Sequence, residues 1–241
     1  MRMLAVCALI ATLCQPTILA GQATNAPVRP DGHKLRLGTD SFAVYLIRGA
    51  DTTLTGSVID ALTSDGPRLI RVYISEDRVL GSRLDTIIDR LPDLTPIAYH
   101  SRSSQLIAHL AFDTAGASGW VRLVNGDSTP VQVPFDATVY NGATFDLIVR
   151  SSRLAPGLQL TVPSFLAGPN SVVPIHGAVS GSAVVDGHPC WVFAGDFATV
   201  PLTLWIDKST RTLRRQLMQL RVDAAVLFTS PPRNGARKRA T

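Results

Sequence analysis

Seventeen aspartates, five histidines and three cysteines are the side chains of this chain best suited to act as acids, bases, nucleophiles or metal ligands. None of the histidines, His33, His100, His109, His176 and His188, stands at the short spacing of a local zinc cluster, and HExxH is absent. His100 and His109 fall on different predicted strands and could meet across a sheet, with Asp113 joining them as a metal or base constellation. The plainer reading is a set of cross-strand polar residues on the wet face, so no metal and no cofactor is assigned. Cys190 opens the apolar run Cys190 to Ala194 and reads as a core thiol; as a nucleophile it would need a partner such as His176 or His188. There is no G-x-S-x-G elbow, and Gly119 and Gly126 do not form a phosphate loop. No catalytic residue is assigned.

The most regular charged pattern is an acid followed by a base at the end of an aliphatic segment. It occurs in LDTIIDRLPDLTPIAYHS from Leu84 and again in LTLWIDKSTRTLRRQLMQL from Leu202. Aligned on residue type, Asp89-Arg90 matches Asp207-Lys208. Both pairs read as structural turns, the carboxylate accepting turn amides while Arg90 or Lys208 faces solvent.

The elements that must position these groups are mostly strands. Alternating segments run over 41–48, 52–62, 68–76, 82–90, 95–103, 105–112 and 120–124, and again over 158–165, 172–179, 183–185, 189–197, 202–206, 212–220 and 224–229. Turn residues such as Ser64-Asp65-Gly66-Pro67 and Asp186-Gly187 separate them. Ile70, Val72 and Ile74 are expected to be buried, with Arg71, Tyr73 and Ser75 on the more exposed face. One segment breaks the pattern: Asp136 suits an N-cap, and an apolar stripe to about Arg153 predicts a helix, in one or two pieces, ended by Pro156-Gly157. A single glutamate, Glu76, beside the seventeen aspartates agrees with many turns and few helices. The fold class expected is mainly β (α+β), a large curved antiparallel sheet or half-barrel with a helical segment across its concave face.

Residues 1–23 have the layout of a secretory signal peptide, with Arg2, an apolar run from Met3 to Leu13, and small residues at Ala20 and Ala23. Leu13 before Cys14 is too bulky for a lipobox. A flexible leader (24–40), one β-rich domain (41–229) and a disordered basic tail (230–241) complete the expected organisation, and the compartment is periplasmic or secreted. No later segment has the apolar length of a transmembrane helix. The formal charge of +5 comes from Arg2 and from Arg233, Arg237, Lys238 and Arg239 in the tail, which leaves the body near neutral. A nucleic-acid partner, which needs a basic face, is not expected.

The second half carries a family likeness. Phe145-Asp146-Leu147-Ile148-Val149-Arg150-Ser151, Leu154-Ala155-Pro156-Gly157, Cys190-Trp191-Val192 and Leu204-Trp205-Ile206-Asp207-Lys208-Ser209-Thr210-Arg211 resemble the uncharacterised exported bacterial proteins grouped as DUF3108. That family is similar in architecture to periplasmic lipoprotein carriers of the LolA and LolB kind, in which a half-barrel encloses acyl chains beneath a helical lid. Such a likeness does not supply function by itself; the function expected from the residues is that of a non-catalytic exported protein that binds a lipid or other apolar ligand in the concavity of a curved sheet. The candidate lining is Tyr140, Phe145, Leu147, Ile148, Leu154, Leu158 and Phe165, with Arg150 and Arg153 at the rim. The alternative is a structural or protein-interaction module of the cell envelope with a filled core, its partner an envelope protein, and the third reading is a hydrolase acting on envelope substrates.

Overall fold

The computed structural model describes residues 28–230. The expected signal peptide and basic tail lie outside the described residues, apart from Ser230. The N-terminal half is a meander of β1 (Gly38–Arg48), β2 (Asp51–Asp65), β3 (Arg68–Asp77), β4 (Gly81–Arg90), β5 (Pro96–Ser103), β6 (Leu106–Phe112), β7 (Gly116–Leu123) and β8 (Ser128–Pro134). Each strand is antiparallel to the one before it. Then come β9 (Tyr140–Asn141) and the helix α1 (Phe145–Ser151). A second meander follows, of β10 (Gln159–Leu166), β11 (Ser171–Val185), β12 (His188–Phe197), β13 (Val200–Asp207), β14 (Leu213–Arg221) and β15 (Ala224–Thr229). β1 and β15 pair antiparallel from Ala43↔Thr229 to Arg48↔Ala224, which joins both meanders into one fifteen-stranded sheet. β9 is the parallel exception, lying beside β10 at the far edge.

Local chemistry explains the meander. Asp186 and Gly187, with φ of 50° and 80°, take the left-handed conformation at both central positions of the β11–β12 hairpin, as a two-residue turn that follows the strand twist requires. β11 runs unbroken from Ser171 to Val185, where two separate strands were expected. It absorbs Ser180 as a bulge, the register shifting between Val179 and Gly181.

Several expectations are corrected. The curved sheet or half-barrel is not formed: the fifteen strands make an open sheet that is neither closed nor curled, with β8 and β9 at opposite edges. Closure needs two edges able to pair. β8 carries Pro130 and Pro134, which offer no N–H, and β9 is two residues long. The helix starts at Phe145 rather than near Asp136, because Asn141 sets up a 3₁₀ turn over Gly142–Thr144 by accepting from the Ala143 amide at 3.0 Å. Before residue 41, Gly32–Lys34 forms a 3₁₀ turn, and Gly32 is buried against Leu91 and Leu94.

Two apolar clusters anchor the fold. In the larger, Phe145, Leu147, Ile148 and Val149 of the helix pack with Phe42, Val44, Leu69, Phe193 and Leu204 from the sheet. A helix of seven residues has little stability of its own, so this packing must supply it. In the smaller, Ile87, Tyr99, Leu110, Phe112 and Val121 of β4 to β7 meet Val139 and Phe165. Among the described residues no helix is long and apolar enough to cross a membrane.

Candidate functional site

Strands that are buried on one face normally send their apolar residues inward. β2 to β4 send Val58, Leu62, Leu69 and Ile87 inward in this way, but over one patch the same inner face is polar and the outer one aliphatic. Ile59, Ile74 and Leu84 stand opposite one another in register and are exposed, at 44%, 37% and 46%. Their neighbours Asp60, Arg71, Ser75 and Asp85 are buried instead. The face expected outside on β3 is therefore the inner one. Each outward aliphatic forgoes part of the roughly 1.5–3 kcal/mol that its burial would contribute, and each inward polar group needs a partner.

Inside the patch lies a cavity of about 490 Å³. Arg71, Ser75, Arg83, Asp85, Tyr99 and Ser101 form its polar wall, and Phe145, Phe165, Phe197, Leu202, Met218 and Phe228 its apolar wall. Arg83 Nη2 lies 2.5 Å from Asp85 Oδ2 and donates to the Tyr99 hydroxyl at 3.0 Å. The Arg83 side chain keeps 42% of its surface accessible, whereas that of Asp85 keeps 2%. Burial pushes the Tyr73 phenol up to about 12, against the pull of Arg71 and Arg83, and burial likewise raises Tyr99. Both phenols are therefore neutral near pH 7 and can donate as well as accept. Two further polar atoms of the wall, Asp85 Oδ1 and Asn141 Nδ2, are buried and have no partner among the described residues. One is an acceptor and the other a donor.

An ionic network ties this wall to the helix. Arg71 Nε and Nη2 donate to the two Asp60 oxygens, each at 2.8 Å, and Nη1 donates to Asp146 Oδ1 at 2.7 Å and to the Ala143 carbonyl at 2.9 Å. Arg150 Nη1 reaches Asp146 Oδ2 at 3.3 Å, while its Nε donates to the Arg211 carbonyl at 2.8 Å. Burial favours the neutral acid at Asp146, but Arg71 and Arg150 outweigh it and hold the carboxyl below the usual range. Arg71 and Arg83 are each matched by carboxylates, so the polar wall carries no large uncompensated charge.

The residues expected to line an apolar concavity do something else. Tyr140, Leu147, Ile148 and Leu154 are buried core, Leu158 packs at the edge of that core, and only Phe145 and Phe165 reach the cavity. Arg150, expected at a rim, is 1% exposed, and Arg153 is exposed. The expected function of binding an apolar ligand in a concave sheet is thereby overturned, because the sheet does not curl and its proposed lining is packed.

The two charged turns share a backbone, but one residue out of step with their alignment by residue type. The amide of Arg90 donates to Thr95 O and that of Leu94 to Arg90 O; the amide of Asp207 donates to Thr212 O and that of Arg211 to Asp207 O. Leu94 and Arg211 occupy the same left-handed position, with φ of 53° and 59°. Asp207 is therefore equivalent to Arg90, and Asp89 to Ile206. Asp207 Oδ1 accepts from the Ser209 and Thr210 amides at 2.9 and 3.0 Å, and its Oδ2 accepts from Arg214 Nη2 at 2.8 Å. Although burial opposes it, these bonds hold its carboxyl well below the usual range. Asp89 sits inside with Oδ1 unpartnered, and burial drives its carboxyl well above the usual range. Lys208 Nζ lies 4.0 Å from the centroid of the Trp191 ring.

Cys190 is buried, and burial with the nearby Asp207 raises its thiol, the opposite of an activated nucleophile. Asp113 does not join His100 and His109, since its Oδ1 caps the Ala115 and Gly116 amides. Sequence reasoning missed Arg71, Arg83, Asp85 and Tyr99. The available signal was the charge and hydroxyl content of every second residue across β3 to β5. No family model matches the chain, and no curated protein matches it.

Proposed function

We propose that this protein binds a neutral, hydroxylated small molecule in the cavity walled by Arg83, Asp85 and Tyr99. The observation that carries this reading is the inner face of β2 to β4, where Asp60, Arg71, Ser75 and Asp85 stand buried among Val58, Leu62, Leu69 and Ile87 while Ile59, Ile74 and Leu84 are left in solvent. Departures from local consistency of this kind concentrate at functional sites. A hydroxyl can donate to Asp85 Oδ1 and accept from Asn141 Nδ2 or Arg83, and a neutral ligand suits a wall whose arginines are already paired. The apolar wall of Phe197, Leu202, Met218 and Phe228 offers contact to a carbon skeleton. Export to the periplasm or beyond belongs to the same proposal and is supported by the sequence pattern of residues 1–23.

Calorimetric titration with neutral mono- and disaccharides and polyols, set against simple carboxylates and a fatty acid, tests it. Saturable binding by a neutral hydroxylated probe, lost in Asp85→Asn and weakened in Tyr99→Phe, is expected. Failure of every hydroxylated probe to bind the folded protein, or binding only of the fatty acid, refutes it.

A further inference from the structure

On the outer face of β4 to β7, cross-strand register builds a row in which Thr86 faces His100, His100 faces His109, and His109 faces Trp120. Both imidazoles are exposed. Their Nδ1 atoms point at each other across 3.0 Å, and the indole of Trp120 stacks on His109 with ring centroids 4.7 Å apart and planes inclined by 29°. Neither histidine takes part in the cavity.

A chelated ion sits off the line that joins the two nitrogens, so coordination displaces the shared proton and turns each exposed ring by about 40° toward the ion. Metal–imidazole bonds are about 2.0–2.1 Å long. Two such bonds to nitrogens 3.0 Å apart subtend an angle of about 94° at the metal. Tetrahedral zinc would need a separation nearer to about 3.3 Å, whereas neighbouring positions of a square-planar or tetragonal ion meet at about 90°. We propose that His100 and His109 form a two-histidine site for Cu(II), and more weakly Ni(II), each binding through Nδ1 with solvent in the remaining positions. On coordination the proton held between the rings moves to Nε2 of the ring that carried it, so neither imidazole has to become charged. Register supplies the preorganisation, because β5 and β6 are paired over Ala98↔Ala111 to Arg102↔Ile107 and hold both rings on one face. Arg102 and Arg122 stand two residues along the same face and repel a cation, which limits affinity without blocking the site.

Trp120 provides the readout, since a paramagnetic ion bound beside its stacking partner quenches its emission. The untagged protein is titrated with Cu(II), Ni(II) and Zn(II) near pH 7.5, following tryptophan fluorescence and calorimetry. One equivalent of Cu(II) is expected to quench part of the emission, reversibly by chelator, with Ni(II) binding ahead of Zn(II). His100→Gln and His109→Gln each weaken Cu(II) binding by about tenfold or more, since losing a direct ligand costs at least as much as losing a second-shell partner. Trp120→Phe keeps the calorimetric binding and loses the quench. Unchanged affinity in either histidine variant, or a Zn(II) affinity above that of Ni(II), overturns the proposal.

Discussion

Replacing Arg71 by methionine isolates the group on which the polar interior depends. Arg71 is 5% exposed and makes a fork-to-fork pair with Asp60, a third ionic bond to Asp146 and a hydrogen bond to the Ala143 carbonyl. Methionine keeps most of the stem volume and deletes every donor. Asp60, itself 5% exposed, then loses its only cation partner among the described residues, while Asp146 retains Arg150 at 3.3 Å. Breaking a buried pair from one side costs about 3–5 kcal/mol, because the remaining charge is stranded rather than removed. A domain typically has about 5–15 kcal/mol in total, so the loss is large and still measurable by urea denaturation. Arg71→Lys keeps the charge without the fork and should fall between wild type and Arg71→Met. Adding Asp60→Asn to Arg71→Met should recover part of the loss, giving a coupling energy of about 0.5–3 kcal/mol. An Arg71→Met variant within about 1 kcal/mol of wild type at an unchanged denaturant slope, or an Asp60→Asn change that adds its full cost on top, would show that Arg71 does not sustain the polar interior.

The two turn carboxylates should respond to pH in opposite directions. The Asp207 carboxyl is depressed in the fold, so its contribution is present above the unfolded value of about 4 and is lost as pH falls through the folded one; Asp207→Asn should cost about 3 kcal/mol at pH 7 and much less near pH 2. That of Asp89 is raised, so the folded state keeps a proton that the unfolded chain releases above about pH 4, and wild-type stability falls as pH rises from there. Asp89→Asn should therefore gain on wild type between pH 4 and 7 in denaturation curves, and a parallel offset at all pH values would count against the assignment. A methyl group at Gly177 would come within 2.3 Å of the Phe193 ring and 2.8 Å of the Ala194 carbonyl; Gly177→Ala should cost about 1–3 kcal/mol by overpacking, and Phe193→Leu should relieve part of it in the double variant.

Strand positions were legible because turn residues punctuate this chain densely, and Asp186-Gly187 specifies its hairpin by conformation alone. What stayed hidden depended on partners far away in sequence. Arg71 reads as an exposed cation until Asp60 on the next strand and Asp146 on the helix are seen to close around it. β8 is hard to read as a strand because of its prolines, which an edge strand tolerates and a central one does not. Aligning Asp89 with Asp207 by residue type put a turn-capping carboxylate and an unpartnered buried one in the same column; backbone hydrogen bonds place them one residue apart, on opposite faces of their strands.

Filler and function can be told apart inside the sheet by the same dependence on distant partners. An apolar interior would have needed only apolar residues in place of Asp60, Arg71, Ser75 and Asp85, on the inner face that Val58, Leu62, Leu69 and Ile87 already share, and neither the Arg71 network nor a place for a buried carboxylate. The chain instead supplies arginine, aspartate, tyrosine and serine from three consecutive strands to one cavity, and leaves Ile59, Ile74 and Leu84 on the outer face. Stability alone does not favour that exchange, since buried ion pairs rarely exceed the contribution of well-packed apolar residues of similar volume. A requirement for polar groups at that position does, and the pairing of Arg83 with Asp85 and Tyr99 indicates that the requirement is for hydrogen-bonding direction rather than for net charge.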